Sequence, residues 1–406
     1  MRGRATVGAL MVMGLVAASA ATPAAAVFPG ENGRVVYVSG RGEASDASAK
    51  VYVQTVPGTD GTVLDTRSGQ HRHPSWSPDQ KRIAYALWDG SSNEKVWYQA
   101  LADGIPHRVG QGSSIVRDDR PSWSPDGTRI AYESEVSDGS GQMDILVTDI
   151  SDSPSGPTIN LTSSPNAIEG KPVWSPDGRW IYFSRRIIPS TDDDILRIRS
   201  DGSQTIPESV VNSATAEYQA ALSPDGKRLC YTRGPFGSSD ADVWVMDLGN
   251  PPGVDFSNTT LGAYNCVWSP DGKSIAYARG TFSNGALVVK ALAGGDATLL
   301  APDAPGHFDG NPDWAPKHPP YCRGVLATKV GTDGPNHLSG TGGRDVIQGF
   351  GGNDVIKGLG GNDLLCGGKG SDRLEGGNGA DFHDGGPGTD TCIGGPGVDR
   401  ARSCER

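Results

Sequence analysis

Beyond residue 26 the sequence has no apolar run of the roughly 20 residues that a bilayer-spanning helix needs, which excludes a helical membrane body there. It has no GxSxG turn, so the strand-turn-helix serine nucleophile of α/β hydrolases is excluded. Basic residues are outnumbered, 36 Lys and Arg against 47 Asp and Glu. The net charge of −11 and pI near 5.1 leave no electrostatic footprint for nucleic acid or an anionic membrane. Cysteine is scarce, six in 406 residues, two mid-chain and four after residue 320. Their even number suits an oxidising compartment.

Residues 1–26 read as a secretory signal peptide. Arg2 and Arg4 precede an apolar stretch from Val7 to Ala18, and Ala24-Ala25-Ala26 supplies the small-residue cleavage site, so the mature chain is expected to start near Val27. No cysteine stands near that junction, which argues against a lipid-anchored form. The protein is expected outside the cell, free or held at its surface.

Through the last sixth of the chain seven aspartates, Asp345, Asp354, Asp363, Asp372, Asp381, Asp390 and Asp399, recur every nine residues, each set in glycine. The frame is GGxGxDxUx, as in GGKGSDRLE from Gly367 and GGNGADFHD from Gly376. Nonapeptides of this kind build a parallel β-helix, each unit contributing one tight turn and one short strand. Two units complete a flattened coil, so aspartates eighteen apart are expected to face each other. Asp345, Asp363, Asp381 and Asp399 then line one edge, and Asp354, Asp372 and Asp390 the other. Carboxylate and main-chain carbonyl oxygens between coils are hard ligands, which suit Ca²⁺ and its irregular cages of 6 to 8 oxygens better than Zn²⁺. Three gaps on one edge and two on the other predict about five ions. The glycines admit positive φ where the backbone bends back and aims carbonyls at the ion. The eighth position of each unit is expected to point inward: Ile347, Ile356, Leu365 and Leu374, then His383, Cys392 and Ala401, so the core thins toward the C-terminus. A degenerate unit from Gly331, with Asn336 in place of Asp and Leu338 inward, reads as an N-terminal cap.

These units resemble the haemolysin-type, RTX-like calcium-binding repeat family over about residues 331–402. The resemblance implies Ca²⁺-driven folding outside the cell. Without the ion, stacked carboxylates repel and the small core does not compensate. Six cysteines permit fifteen pairings, of which the sequence-local one is preferred: Cys230 with Cys266, Cys322 with Cys366, and Cys392 with Cys404.

A second periodicity precedes the tail. PSWSPDQKRIAYA, PSWSPDGTRIAYES, PVWSPDGRWIYFS, AALSPDGKRLCYT and CVWSPDGKSIAYA share anchors at Trp76, Trp123, Trp174, Leu222 and Trp268, spaced 47, 51, 48 and 46 residues apart. Periods of 40 to 50 with several short strands per unit mark propeller blades. Each unit reads as a strand ending at the anchor, a Ser-Pro-Asp-Gly turn, a strand opened by RIAY, a third strand such as DILVTDI, and a short fourth. ENGRVVYVS from Glu31 is the second half of the template and GNPDWAPK from Gly310 the first half, so one blade is expected to be split between the chain ends. Five whole blades and one shared blade predict six. The template resembles the TolB-type β-propeller, which is also the propeller companion of prolyl-oligopeptidase-like peptidases. It covers about residues 31–316, with Leu222 departing from Trp and Gln80 from Gly.

The SPDG residues read as structural. Five residues before the anchors stand His71, Asp118, Glu169, Glu217, Ala263 and Asp309, and three before stand His73, Arg120, Lys171, Gln219, Asn265 and Asn311. Both sets are expected to decorate one mouth of the central channel, either as solvated strand ends or as a site for a small ligand, metal or peptide end. His71 and His73 are expected on opposite faces of their strand, a poor bidentate metal pair.

The fold class expected is all-β. Residues 27–318 form a six-bladed propeller closed by the shared blade, 319–330 a linker, and 331–406 a parallel β-roll. The role expected is binding and not catalysis, with a protein, peptide or glycan partner on the propeller. The Ca²⁺-loaded roll serves as an extracellular folding switch, stabiliser or adhesive tail. The alternative is a hydrolase or lyase built at the channel mouth.

Overall fold

The structure, a computed structural model, describes residues 32–39, 50–55, 62–65, 67–90, 94–110, 117–135, 141–235, 238–281, 284–299, 309–316, 321–323 and 325–405. The proposed signal peptide and part of the expected linker lie outside them. Among the described residues every regular element is a β-strand.

The unit around Trp123 shows how the template folds. Asp118–Trp123 pairs with Arg129–Glu135, which pairs with Met143–Asp149, which pairs with Thr158–Asn160, all antiparallel. The SPDG turn closes on its own side chains. Ser124 Oγ donates to Asp126 Oδ1 at 2.6 Å and accepts the Arg129 N–H at 2.9 Å, while Asp126 Oδ1 also accepts the Thr128 N–H at 3.0 Å. Gly127 takes the left-handed corner at φ 70°. The Ser-to-Asp bond recurs in every copy, from Ser77, Ser175, Ser223 and Ser269. Gln80, where glycine is missing, adopts the same corner at φ 56°.

The repeat region resolves into four four-stranded antiparallel sheets and one eight-stranded sheet, where the sequence predicts only separate four-stranded blades. The eight-stranded sheet is two meanders joined by one parallel pair, Met143 opposite Ile168. The join follows from length. Ala167–Trp174 starts seven residues before its anchor, against five for Asp118–Trp123, and so reaches the start of Met143–Asp149. The chain ends of the region share one sheet, Asn32–Ser39 pairing with Asp309–Pro316 so that Val35 lies opposite Trp314. This pairing covers two strand edges that would otherwise be open.

Neighbouring units are fastened through the anchors. The indole N–H groups of Trp123, Trp174 and Trp268 donate to the main-chain oxygens of Ser75, Ser122 and Ala221 in the preceding unit, at 3.0–3.1 Å. Arg82 and Arg129 lie over the rings of Trp123 and Trp174 at 4.6 Å. The core between units is apolar, as where Trp174, Ile181 and Phe183 pack against Ala131, Ile145 and Val147.

The tail is two parallel sheets. One holds Lys329–Val330, Val346–Gly351, Leu364–Lys369, Phe382–Asp384 and Arg400–Arg402, the other His337–Ser339, Val355–Gly360, Arg373–Asn378 and Thr391–Ile393. Register advances by eighteen residues, Ile347 opposite Leu365 and Leu365 opposite His383. Ile347, Ile356, Leu365 and Leu374 form the fully buried core, with Leu338 and Cys392 packed against it. The cysteines pair as Cys230–Cys266, Cys322–Cys366 and Cys392–Cys404.

Candidate functional site

The tail aspartates form two vertical ladders. The main-chain N–H of each donates to Oδ1 of the aspartate eighteen residues on: Asp345 to Asp363, Asp363 to Asp381 and Asp381 to Asp399 on one edge, Asp354 to Asp372 and Asp372 to Asp390 on the other, at 2.8–3.0 Å. One carboxylate oxygen is thereby spent on the ladder. The second, Oδ2, is buried with no hydrogen-bond donor at Asp354, Asp363, Asp372, Asp381 and Asp390. A buried carboxylate oxygen without a donor is costly unless a cation meets it. Burial pushes the Asp354 carboxyl up to about 7, and it also raises Asp363, Asp372 and Asp390. Among the described residues no three acidic, imidazole or thiol side chains converge on one point. A cation here must therefore draw on main-chain oxygens as well.

The first glycine of each unit keeps those oxygens close. A Cβ on Gly349, Gly358, Gly367 or Gly376 would lie 2.2–2.3 Å from Oδ2 of its own unit's aspartate and 2.4–2.8 Å from the carbonyl oxygen of the glycine eighteen on. Only glycine lets carboxylate and carbonyl crowd one stretch of backbone. These oxygen donors, hard and short of hydrogen-bond partners, fit Ca²⁺. At the start of the ladder Asp345 differs, its Oδ2 accepting the Thr341 N–H at 2.6 Å.

In the propeller region the two predicted sets part company. The residues three before the anchors, His73, Arg120, Lys171, Gln219 and Asn265, all sit in the left-handed region at φ 46–58°. Each marks a bulge in its inner strand. They line a common cavity of about 200 Å³, completed by Pro312 and Asp313. The residues five before the anchors turn into the sheets instead. His71 Nε2 lies 2.9 Å from Asp65, Asp118 pairs with Lys95 at 3.1 Å, Arg185 Nε donates to Glu169 at 2.6 Å, and Glu217 lies 3.5 Å from Arg233. Asp309 begins its strand, and its side chain lies outside the described residues. His71 and His73 do diverge, but strand alternation is not the reason, since residues two apart share a face of an extended strand. The bulge at His73 turns the chain.

Around the cavity the charges interlock. His73 Nδ1 and Asp119 Oδ1 are 2.7 Å apart, Arg117 bridges Asp119 and Glu94 at 2.8 Å each, and Arg120 lies 3.4 Å from Glu133. The Lys171 N–H donates to Glu133 Oε2 at 2.9 Å, and its ammonium sits 4.3 Å from the Tyr218 ring. Burial, then the Arg120 charge, takes His73 down to about 4 and Lys171 down to about 7. Burial and the Asp119 charge push Glu94 up to about 7. Burial opposes ionisation of Asp119, but His73, Arg120 and Arg117 outweigh it and hold the carboxyl well below its usual range. An ionised carboxylate only accepts, so His73 Nδ1 carries the proton.

A propeller in which five inner strands each send one bulged residue into a shared cavity is a recognisable design. Residues 22–250 match the TolB beta propeller domain. The chain belongs to that family. Residues 330–365 and 367–401 match the RTX calcium-binding nonapeptide repeat, so this TolB-type chain carries a calcium-binding tail. A comparison with curated proteins finds no match. Among solved structures, TolB from Acinetobacter baumannii is 21% identical, with a TM-score of 0.54 over 71% of this chain and 68% of that one. Hydrazine synthase from Kuenenia stuttgartiensis is 12% identical, with a TM-score of 0.57 over 71% of this chain and 48% of that one. At these identities the likeness is one of fold.

Sequence reading missed the acidic partners Glu94, Asp119 and Glu133 of this TolB-type mouth. Asp119 carried a signal, because it sits between two residues already singled out, Asp118 and Arg120. Glu94 and Glu133 reach the mouth from second and third strands, and nothing in the repeat template marks them.

Proposed function

We propose that this is an exported calcium-binding protein in which Ca²⁺ folds the tail and the propeller holds a partner at its channel mouth by binding. The observation that carries the reading is the set of five buried, donorless Oδ2 atoms at Asp354, Asp363, Asp372, Asp381 and Asp390. With Asp345 and Asp399 these aspartates are the proposed ligands, for about five ions in the gaps between coils. Residues 1–26 act as a cleaved signal peptide, 27–318 as the propeller, 319–328 as the linker and 329–406 as the roll, which starts two residues before the repeat frame at 331 because Lys329–Val330 pairs with Val346–Gly351. The propeller has six blades on this reading, the eight-stranded sheet counting as two. Support comes from the strand pairing of the chain ends and from six inner strands that each contribute to the cavity.

The partner at the mouth is a protein, peptide or glycan, met by His73, Arg120, Lys171, Gln219 and Asn265. Asp118, Glu169 and Glu217 support that surface from within the sheets. Binding is favoured over hydrolase or lyase chemistry because Glu94, Asp119 and Glu133 are engaged with arginines. RTX-like tails often accompany one-step export without a signal peptide, and the N-terminal signal here points the tail toward folding or adhesion. The test is circular dichroism of the mature chain during Ca²⁺ titration. A gain of β signal with the ion supports the reading, and an unchanged spectrum at millimolar Ca²⁺ overturns it.

A further inference from the structure

The two ends of the tail are closed differently. At the first, Asn336 stands where an aspartate is due. Its N–H donates to Asp354 Oδ1 at 2.8 Å, and its side-chain oxygen accepts the Thr332 N–H at 2.6 Å, a neutral closure. At the other end the nonapeptide frame lapses, with Ser403 where the next first glycine falls and Cys404 and Glu405 after it.

The contacts of a further rung are made all the same. The Asp390 N–H, which by the ladder rule seeks a carboxylate eighteen residues on, donates to Glu405 Oε2 only fifteen on. The Glu405 N–H returns a bond to the Asp390 carbonyl at 2.8 Å, as the Thr391 N–H does to Asp372 at 2.7 Å. The Ser403 carbonyl crowds Gly385 as the Gly385 carbonyl crowds Gly367. The three-residue short cut is held by the Cys392–Cys404 bridge. Asp390 itself is 1% exposed, and its Oδ2 has no donor.

A cap needed only to accept one N–H would be served by an amide. A second carboxylate beside buried Asp390 brings like-charge repulsion unless a cation lies with them. We infer that Asp390, the Ser403 carbonyl and the Glu405 carboxylate form a further Ca²⁺ site outside the repeat, assembled by the Cys392–Cys404 disulfide. It rests on the calcium-binding reading of the tail and adds one site to it.

The experiment counts Ca²⁺ bound per mature chain by equilibrium dialysis and metal analysis, with folding checked by circular dichroism at saturating Ca²⁺. Glu405→Gln keeps an oxygen for the Asp390 N–H but loses the charge, and it is expected to bind one ion fewer than the unaltered chain. The Cys392→Ser/Cys404→Ser chain, with every repeat aspartate and glycine intact, is expected to lose the same ion, and it decides the matter if Glu405→Gln fails to fold. A full count in either folded variant overturns the inference. An unaltered chain that binds no Ca²⁺ overturns the reading of the tail and this site with it.

Discussion

Glycine at the first position of a tail unit is there for space and not for its backbone angle. A Cβ on Gly367 would meet Asp372 Oδ2 at 2.3 Å and the Gly385 carbonyl at 2.7 Å, whereas one on Gly342 would meet nothing within 4 Å. Gly367→Ala is therefore expected to destabilise the Ca²⁺-loaded tail by about 1–3 kcal/mol, the usual cost of overpacking. Gly342→Ala should change little, and thermal melts in Ca²⁺ compare the two. His73 supplies a pH prediction. Its folded pKa of about 4 lies below the ordinary histidine value of 6.5, so the unfolded chain binds more protons between those values. The contribution of neutral His73 is complete above about pH 6.5 and is lost as pH falls through about 4. Relative to His73→Asn, the natural chain should lose about 1.4 kcal/mol per pH unit across that window, read by denaturant melts. A difference that stays flat with pH would refute the assignment.

At the scale of strands and sheets, the anchors do two jobs that the motif shows only in part. The SPDG turn is local, and its Ser-Asp-Gly chemistry could be read directly from the sequence. The indole's partner lies in the preceding unit, as when Trp174 donates to Ser122 at 3.1 Å. Trp174→Phe keeps most of the ring's packing but strands a carbonyl between units, so it is expected to cost about 1–3 kcal/mol. Leu222→Phe, at the anchor that has no such donor, should cost less, and denaturant midpoints measure the difference. The same reasoning explains why the merged sheet escaped prediction. The period of 46 to 51 residues sets the number of units, but one strand starting early lets Ile168 reach Met143, and the template does not encode that.

At the scale of the whole molecule, propeller and tail draw stability from different sources. The propeller buries apolar clusters between its units, while the tail's core is four fully buried aliphatic side chains, two from each sheet, flanked by buried carboxylates. Ca²⁺ that binds only the folded tail stabilises it by mass action, about 2.7 kcal/mol at one hundred times the dissociation constant. Scanning calorimetry of the mature chain should show two transitions. A chelator should lower or abolish the tail's and leave the propeller's in place, and one transition insensitive to the chelator would contradict this division.

The sequence by itself determined the period of nine, the period near 47, and hence which residues become strands, corners and inward-facing positions. Those properties follow from local hydrogen bonding and side-chain alternation, which repeat wherever the motif repeats. The tertiary structure alone decided which side chains meet. A left-handed bulge turned His73, Arg120 and Lys171 into the shared cavity and left His71, Asp118 and Glu169 inside the sheets, and stacking spent one oxygen of Asp354, Asp363, Asp372, Asp381 and Asp390 while leaving the other bare. Such outcomes depend on register and curvature between residues far apart in the chain, and no local pattern carries that information.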